Sequence, residues 1–388
     1  MKRTQILGTI TFYFLIILSF YAVVKMQMSY VDENSHTKPV TEDSMKFISS
    51  CRQRIATDSA NAKKSWSSPY KNPCFYKNEK LYCLPYFLVI GFPKCGTTDL
   101  FQRMKHHPEF VPPKMKELHW LSRYRFLPFF RQNTTVNYER YSPKHVYGLH
   151  LYAQMFADLA EKLESSHEMS SAITADFSPS TIWDNDLYTY MSTLAEIPPY
   201  YTQNFIKTLN PCAKLIVMMR DPAERLYSDY LFMDGNQTAK DFQIKVKQAV
   251  QIYKNCMKFR SVHSCLYDSN IAKKSKIRLR IGAYSVYIQE WLKVFPRDQM
   301  HFVRMEDYVS NMEKVLTEIF DFLDMERPSP GDMERMLQEQ PVNTRSSRGK
   351  TFEPMFNETY HILSRFYAPF NNVLSILLNN SDYRWHYR

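Results

Sequence analysis

The chain has 388 residues, of which 44% are hydrophobic and 23% charged, so it holds enough apolar material for one large core or two smaller ones. Its 8 glycines and 21 prolines exclude a collagen-like or low-complexity chain, and no internal repeat indicates a solenoid. The formal net charge of +11 favours an anionic partner, such as nucleic acid, anionic lipid, a phosphorylated cofactor or an acidic polysaccharide.

The N-terminal residues predict a membrane anchor. Residues 6–24 are uncharged and apolar, and as a helix rising about 1.5 Å per residue they would cross a thin bilayer. Lys2 and Arg3 place residues 1–5 in the cytosol as a tail and the remainder in the lumen of the secretory pathway. We therefore predict a single-pass type II protein with a polar stem at residues 25–73 and one luminal domain at residues 74–388. A cleaved signal peptide is the alternative, and nucleic acid is not expected as a partner in the lumen.

Luminal placement gives meaning to the sequons and the cysteines. Four Asn-x-Ser/Thr triplets predict glycosylation at Asn133, Asn236, Asn357 and Asn379. The spacing of the seven cysteines predicts two local disulfides, Cys74–Cys83 and Cys256–Cys265. Cys51, Cys95 and Cys212 remain, and the odd count requires a free thiol or an interchain bridge, for which a homodimer linked through Cys51 is one possibility.

Strands alternate with helices along the predicted luminal domain. Apolar runs predict strands at residues 84–92, 214–219 and 299–304, and helices after the first two at residues 97–106 and 223–232. This alternation indicates an α/β fold with a parallel sheet flanked by helices. A helix that carries Tyr284 precedes the third strand. The apolar stripe Phe242, Val246, Ala249, Val250 and Tyr253 on one helical face is assigned to the core, and Ser310 and Glu313 have the spacing of a capping box before a further helix.

A loop typical of phosphate binding lies where the first strand turns into its helix, between Gly91 and Thr98. Backbone N–H groups at a helix start can hold phosphate oxygens. The glycine spacing matches the Walker pattern, but Thr97 stands in place of its lysine and Lys94 lies inside the loop. This exchange argues against ordinary nucleoside triphosphate hydrolysis and places Lys94 where charge develops on a leaving phosphate. The alternative is a tight glycine turn with a solvated lysine.

A second candidate for phosphate binding follows the strand at residues 214–219. Arg220 lies at the carboxyl end of that strand, the edge at which open α/β sheets bind ligands. Its guanidinium can grip a phosphate through two N–H groups, and Ser228, about two helical turns further, can add a hydroxyl. The alternative is a surface pair of Arg220 with Asp221 beside a capped helix.

These motifs carry a family resemblance. The loop PKCGTTDL, the Arg220 to Ser228 segment and Arg348-Gly349-Lys350 followed by FYAPFN resemble the Golgi-type carbohydrate sulfotransferases, which use 3′-phosphoadenosine 5′-phosphosulfate (PAPS). The match runs from about Cys74 to the C-terminus. Longer strings such as SPSTIWDN and PPYYTQNF are most similar to the group that sulfates the 6-hydroxyl of N-acetylgalactosamine 4-sulfate in chondroitin and dermatan sulfate.

The resemblance implies the PAPS-dependent sulfotransferase fold, a Golgi membrane location, a glycosaminoglycan acceptor and a set of nucleotide contacts. Arg220 and Ser228 would hold the 3′-phosphate, and Arg348, Gly349 and Lys350 would close over the nucleotide, although the family usually has Lys-Gly-Arg at this last site. The 5′-phosphosulfate would be held by the loop residues Lys94, Cys95, Gly96, Thr97 and Thr98.

The candidate base is Glu117, because sulfuryl transfer needs a group that takes the proton of the acceptor hydroxyl. The segment Lys116-Glu117-Leu118-His119 resembles the family's Lys-Glu-Pro-His segment, in which the glutamate is the base, with Leu118 in place of the proline. His119 would orient the glutamate or the sulfuryl group. Without the resemblance, a glutamate beside lysines is typically a solvated ion pair, and a histidine beside a tryptophan a packed one.

The acceptor side is predicted at residues 176–181, which resemble the family's Glu-Lys-Ser-Pro segment. Phe177 replaces the lysine of heparan sulfate relatives, which argues against a heparan-type acceptor. Predicted substrate contacts are Lys116, Asp176, Ser178 and Trp183, although core packing is the alternative for Trp183. Two groups of basic residues could meet carboxylates and sulfates of the acceptor: Lys114, Lys116, Arg123 and Arg125, and Lys273, Lys274, Lys276, Arg278 and Arg280.

The sequence thus predicts sulfuryl transfer from PAPS to a glycosaminoglycan sugar without a metal, since no cluster has zinc-ligand spacing. A heparan sulfate O-sulfotransferase is the nearest alternative. A luminal glycan kinase would share the phosphate loop but need Mg²⁺ and carboxylates to hold it. A non-catalytic glycosaminoglycan-binding membrane protein would keep the fold without binding the nucleotide.

Overall fold

The first described strands form a hairpin closed by the first predicted disulfide. The structure is a computed structural model that describes residues 70–126, 149–165, 171–186, 201–233, 238–342 and 352–385, all within the unit Cys51–Arg388. Strand β1 (Cys74–Lys77) pairs antiparallel with β2 (Lys80–Cys83), and Cys74 is bonded to Cys83. Asn72 is buried and hydrogen bonded to Ala172 and Thr174, so the last residues of the predicted stem pack with the domain.

A four-stranded parallel sheet forms the centre of the domain. Its strands are β3 (Phe87–Gly91), β4 (Ala175–Asp176), β5 (Lys214–Met219) and β6 (Met300–Arg304), in the order β4-β3-β5-β6. All three neighbouring pairs are parallel, as the alternation of strands and helices predicts. Every residue of β3 is buried, which explains its continuous apolar run. Only the two-residue β4 has no signal in the sequence.

Thirteen α-helices are described. They are α1 (Thr97–Met104), α2 (Leu149–Ala153), α3 (Ala157–Ser165), α4 (Thr202–Leu209), α5 (Pro222–Met233), α6 (Ala239–Met257), α7 (Val262–Tyr267), α8 (Ser269–Ser275), α9 (Tyr284–Leu292), α10 (Met305–Ser310), α11 (Met312–Phe322), α12 (Pro330–Gln338) and α13 (Asn357–Leu377). The predicted capping box is wrong: Ser310 ends α10, Asn311 is the N-cap of α11, and no side chain caps that helix.

Two apolar clusters hold these elements together. The larger one surrounds the sheet and includes side chains of α1, α9 and α11. The second joins α5 and α6 to α13 and contains Phe242, Val246, Ala249, Val250 and Tyr253, the stripe expected from the helical spacing. The second predicted disulfide, Cys256–Cys265, links the end of α6 to α7.

Several predicted features lie outside the described residues. They are the anchor at residues 6–24, most of the stem, Cys51, Asn133, Asn236, and Arg348, Gly349 and Lys350. Among the helices that are described, none combines the length and the apolar character needed to cross a bilayer. Asn357 and Asn379, the other two predicted glycosylation sites, are exposed at the start and just beyond the end of α13.

Candidate active site

Three adjacent strands bring the predicted site segments to one edge of the sheet. The phosphate loop follows β3, Arg220 follows β5, and the acceptor segment follows β4. This is the carboxyl edge, where ligands bind in parallel sheets. The end of the acceptor segment lies over the end of β3, because the backbone N–H of the next residue, Ile182, donates to the carbonyl of Ile90 at 2.9 Å. Gly91 permits this approach, since an added Cβ would lie 2.4 Å from the Ile182 side chain.

The phosphate loop presents an uncapped helix start. Gly96 is the N-cap residue of α1 with a φ of 86°, a left-handed conformation that glycine adopts without strain. No side chain caps α1, so N–H groups of its first turn are oriented toward any anion held by the loop. Thr97 and Thr98 form that first turn, and Lys94 precedes it with a φ of 68°. The predicted loop therefore has the geometry of a phosphate cradle.

One face of α5 connects Lys94 with Arg220. The guanidinium of Arg220 lies 3.3 Å from Glu224 at the start of this helix, and the ammonium of Lys94 lies 4.0 Å from the ring centre of Phe232 near its end. Glu224, Ser228 and Phe232 are four residues apart and share a face. Eight residues of helix span about 12 Å, so the two predicted phosphate-binding cations flank Ser228 along a distance comparable to a nucleotide.

Asp221 caps α5 instead of pairing with Arg220. Its carboxylate accepts the backbone N–H of Ala223 at 2.8 Å and the hydroxyl of Tyr360 at 2.7 Å. Its own backbone N–H donates to Glu306 at 2.9 Å. These contacts fix the chain immediately after Arg220, so the position of Arg220 is defined by α13 and α10 as well as by the strand.

Tyr284 connects the phosphate loop to Arg220, and sequence reasoning placed it on a helix without a role at the site. Its buried hydroxyl donates to the backbone carbonyl of Arg220 at 2.9 Å and lies 3.9 Å from the sulfur of Cys95. Cys95 itself is fully buried, and burial raises the pKa of its thiol to about 12. Cys95 thus packs against the core side of the loop. No sequence signal distinguishes Tyr284 from the other aromatic residues of α9.

Buried ion pairs hold α5 against the rest of the domain. Asp229 accepts from Arg278 at 2.7 Å and lies 3.4 Å from Arg225, whose side chain is fully buried. Burial raises the pKa of Asp229, but the charges of Arg278 and Arg225 outweigh burial and hold the pKa below its usual range. Two arginines share one carboxylate here, so an excess positive charge lies beneath the face that carries Ser228.

Glu117 is held as a carboxylate by two neighbours. Lys116 donates to one carboxylate oxygen, and His119 Nε2 lies 3.6 Å from the other. Burial raises the pKa of Glu117, but His119 and the positive charge of Lys116 outweigh it and bring the pKa to about 2. The side chain is 41% exposed, so a hydroxyl from solvent can reach it. Glu117 and His119 both have positive φ values, 62° and 49°, which are uncommon for these residue types and concentrate at functional sites.

The acceptor segment orients His119 through two serines. Ser180 Oγ lies 2.7 Å from His119 Nδ1 and 3.0 Å from Ser122 Oγ. Ser178 accepts the backbone N–H of His119 at 2.9 Å and donates to Asp176. With Nδ1 accepting from Ser180, the other ring nitrogen carries its hydrogen toward Glu117, because a carboxylate can only accept. Ser180 is a positioning residue that sequence reasoning missed.

The predicted substrate contacts are mostly enclosed. Asp176 and Ser178 are each 1% exposed, and the second oxygen of Asp176 accepts from Tyr152 at 2.8 Å. Burial raises the pKa of Asp176 despite its hydrogen bonds with Ser178 and Tyr152. Trp183 is 5% exposed and belongs to the core cluster. The structure thus brings Asp176 and Ser178 to the site as supports of His119, and Lys116 directly to Glu117.

Part of the expected basic surface is occupied by ion pairs. Arg123 pairs with Asp184 at 2.5 Å, and Arg280 pairs with Asp186 at 2.7 Å. Arg278 pairs with Asp229, as described above. These arginines therefore stabilise the fold around the site. Among the described residues, no group of His, Cys, Asp or Glu side chains has the arrangement of a metal centre.

Comparison with known proteins decides the family. A model of the sulfotransferase domain matches residues 84–353, which include β3, β4, β5 and the three segments at their ends. The chain belongs to the sulfotransferase family. In this sulfotransferase the cradle, Arg220 and Glu117 all lie within the matched range.

The chain is also similar to individual known proteins. Carbohydrate sulfotransferase 15 of Mus musculus is 38% identical to this sulfotransferase over 315 residues, which cover 80% of the chain and 56% of the relative. Heparan sulfate glucosamine 3-O-sulfotransferase 3B1 of Homo sapiens is 23% identical over 335 residues, which cover 82% of the chain and 69% of the relative. The crystal structure of a sulfotransferase from Alicyclobacillus acidocaldarius is 18% identical with a TM-score of 0.45, and the match covers 78% of the chain and 99% of that structure. The sulfotransferase described here thus spans little more than half the length of its mouse relative.

Proposed function

We propose that this protein transfers the sulfuryl group of PAPS to a sugar hydroxyl of a glycosaminoglycan. The observation that carries the proposal is the arrangement of Lys94 and Arg220 along one face of α5, with the uncapped start of α1 beside them. A ligand with two separated phosphate groups would engage both cations, and Ser228 lies between them. ATP has no phosphate at the 3′ position for Arg220, so the arrangement favours a 3′-phosphorylated nucleotide.

The residues present fit PAPS, which when bound supplies the sulfuryl group and a 3′,5′-bisphosphate leaving group. The N–H groups of α1 and the hydroxyls of Thr97 and Thr98 would hold the 5′ end, and Arg220 with Ser228 the 3′-phosphate. Lys94 would leave the ring of Phe232 and neutralise charge that develops on the 5′-phosphate. Arg220 would exchange Glu224 for the phosphate, a doubly charged partner.

Glu117 would remove the proton from the acceptor hydroxyl as the new oxygen–sulfur bond forms. A carboxylate with a pKa near 2 is fully ionised in any physiological compartment, so no charging step precedes proton removal. His119 would hold the carboxylate toward the acceptor, with Ser180 fixing its ring. Lys116 balances the charge of Glu117, so the base adds no net negative charge toward an acidic sugar chain, although burial lowers the pKa of Lys116.

We propose the 6-hydroxyl of N-acetylgalactosamine 4-sulfate in chondroitin or dermatan sulfate as the acceptor. The strings around Ser180 and Tyr201 support this choice, and the heparan sulfate relative is much less similar than carbohydrate sulfotransferase 15. Phe177 is fully buried among Phe87 and Phe101, so the acceptor side lacks the lysine of heparan-type enzymes. We also propose a type II orientation in the Golgi membrane, on the basis of residues 1–24.

The test is to incubate the full chain, purified in detergent, with labelled PAPS and separate chondroitin, dermatan, heparan and keratan sulfate chains, and then to identify the labelled disaccharides. We expect label at the 6-position of N-acetylgalactosamine. Label on heparan sulfate alone would refute the acceptor. Transfer of phosphate from ATP that stops in EDTA would indicate a kinase. Failure of 3′-phosphoadenosine 5′-phosphate (PAP) to raise the melting temperature would indicate a binding protein without nucleotide.

A further inference from the structure

Most of the net positive charge of the chain lies in one stretch of the domain. Residues 242–285 contain ten lysines and arginines and a single carboxylate, Asp268, so they carry +9 of the total of +11. This stretch covers nearly all of α6, then α7, α8 and the start of α9. A field concentrated in this way attracts an extended polyanion far better than the same charge spread over the whole surface.

Five of these ten cations form ion pairs with carboxylates of the described residues. The pairs are Lys245 with Asp241, Lys247 with Glu358, Arg260 with Asp268, Arg278 with Asp229, and Arg280 with Asp186. Lys254, Lys258, Lys274 and Lys276 are exposed, and within the described part of the chain none of them forms an ion pair. Lys273 is exposed beside them.

The fold gathers these lysines on one surface. Helix α8 packs against α6, and Arg260 beyond the end of α6 pairs at 2.7 Å with Asp268, the N-cap of α8. Ser275 at the end of α8 lies beside Tyr253 of α6. The two helices are therefore antiparallel, so the end of α8, with Lys274 and Lys276, lies at the level of Tyr253 and Lys254 on α6, and Lys258 follows one turn or about 6 Å along α6. We call these four lysines and Phe259 the α6–α8 surface.

An exposed aromatic ring adjoins the lysines. Phe259 is 87% exposed and directly follows Lys258. A large apolar side chain this exposed buries nothing in the fold. An aromatic face among cations suits a sugar polymer, whose pyranose rings offer apolar C–H faces while sulfates and carboxylates point outward.

The surface continues toward the candidate active site. Two residues after Lys276, the guanidinium of Arg278 lies 6.0 Å from the ring of Trp183, and that of Arg280 lies 5.4 Å from the same ring. Trp183 follows the acceptor segment, and its backbone N–H donates at 3.3 Å to the carbonyl of Ser180, whose hydroxyl contacts His119. The segment at residues 276–280 therefore joins the α6–α8 surface to the site at which the acceptor would react.

We propose that the α6–α8 surface is a second binding site for the acidic polysaccharide acceptor, which engages sugars remote from the one at Glu117. This inference rests on the proposed function. It adds that the affinity for the acceptor depends on the length of the polysaccharide, because only a long polyanion reaches both the α6–α8 surface and Glu117. An anionic membrane would meet the same lysines, but it would not use the continuity with Trp183, so the polysaccharide is the favoured partner.

The test compares two fourfold variants of the full chain in detergent. The first has Lys254, Lys258, Lys274 and Lys276 each changed to Gln. The matched control has the exposed lysines Lys77, Lys80, Lys105 and Lys314 each changed to Gln, which removes the same charge elsewhere. KM is measured for polymeric chondroitin sulfate and for a tetrasaccharide of the same repeat, and binding of the labelled polymer is measured without PAPS at several salt concentrations.

For the first variant we expect the ratio of the KM for polymer to that for tetrasaccharide to rise about tenfold, and the salt dependence of polymer binding to weaken. The control variant should leave both close to wild type. Binding to mixed micelles of the detergent with phosphatidylserine is measured alongside. Equal effects of the two variants, an equal change in both KM values, or loss of binding to these micelles with polymer binding unchanged would overturn the proposal. Binding without PAPS is separate from transfer, so polymer binding that depends on these lysines in a protein without transferase activity would refute only the proposed function.

Discussion

Tyr284→Phe should weaken nucleotide binding although Tyr284 is not itself a predicted phosphate contact. The change removes only the hydroxyl that donates to the Arg220 carbonyl at 2.9 Å and lies 3.9 Å from Cys95. A buried hydrogen bond contributes about 1 kcal/mol net, and leaving the carbonyl unpaired adds about as much again. We expect the free energy of unfolding to fall by about 1–2 kcal/mol. Because the bond also holds Arg220 in register with the loop, the Kd for PAP should rise about 5- to 10-fold.

The matched control is Tyr287→Phe. Tyr287 lies on the same helix, is equally buried, and donates to the carbonyl of another arginine, Arg280, at 3.3 Å. Urea unfolding of both variants measures stability, and thermal shift or calorimetric titration with PAP measures affinity. Both variants should lose stability, and only Tyr284→Phe should lose affinity for PAP. A Kd for PAP within twofold of wild type in Tyr284→Phe, or an equal loss in Tyr287→Phe, would show that this tyrosine does not align the two phosphate-binding segments.

Three further predictions concern the base, its support and the buried charges. Glu117→Gln should reduce kcat by at least about 100-fold while the Kd for PAP stays unchanged, and near-normal turnover would exclude it as the base. Ser180→Ala removes the contact that fixes the ring of His119, so the pKa of Glu117 should rise from about 2 toward its ordinary value. The acidic limb of the plot of kcat/KM against pH should then move to higher pH, and an unmoved limb would contradict the positioning role of Ser180. Asp229→Asn leaves two arginines without their carboxylate and should lower the free energy of unfolding by about 3–5 kcal/mol at neutral pH. Because the pKa of Asp229 is lowered in the folded state, this contribution is complete above about pH 4 and is lost as the pH falls through the lowered pKa, so wild type and variant should converge in acid-range unfolding curves.

The strands and the loop could be read from the sequence because local patterns determine them. The run at residues 214–219 becomes β5 with identical bounds, and the glycine spacing after Gly91 gives the cradle before α1. Both disulfides form between cysteines nine residues apart. In each case the information lies within about ten residues, where periodicity and turn chemistry act.

Contacts between distant segments could not be read in this way. Tyr284 reaches Arg220 and Cys95 across 64 and 189 residues. Ser180 meets His119 across 61 residues, and it stands in a segment where only Asp176, Ser178 and Trp183 were chosen. A hydroxyl becomes a positioning group only when the fold supplies its partner, and a single sequence carries no signal for that pairing.

The basic residues at positions 273–280 were predicted to meet acidic groups of the acceptor or to be solvated, and the structure separates them into two kinds. Arg278 and Arg280 are used in ion pairs with Asp229 and Asp186, which come from other parts of the chain. Lys274 and Lys276 stay exposed because they lie at the end of α8. The sequence alone does not show which basic residues the fold encloses. An enclosed arginine requires a carboxylate partner, whereas an exposed lysine does not.

The most direct test of the central proposition, that Lys94 and Arg220 hold one nucleotide by its two phosphate ends, is calorimetric titration with PAP and with adenosine 5′-phosphate, which lacks the 3′-phosphate. Wild type should bind PAP at least about tenfold more tightly than adenosine 5′-phosphate, since a charged hydrogen bond contributes about 1.5–3 kcal/mol. Arg220→Ala should abolish this preference, and Lys94→Ala should weaken both ligands by a similar factor. An Arg220→Ala protein that keeps the preference for PAP would contradict the proposal that Lys94 and Arg220 bind the two ends of one nucleotide.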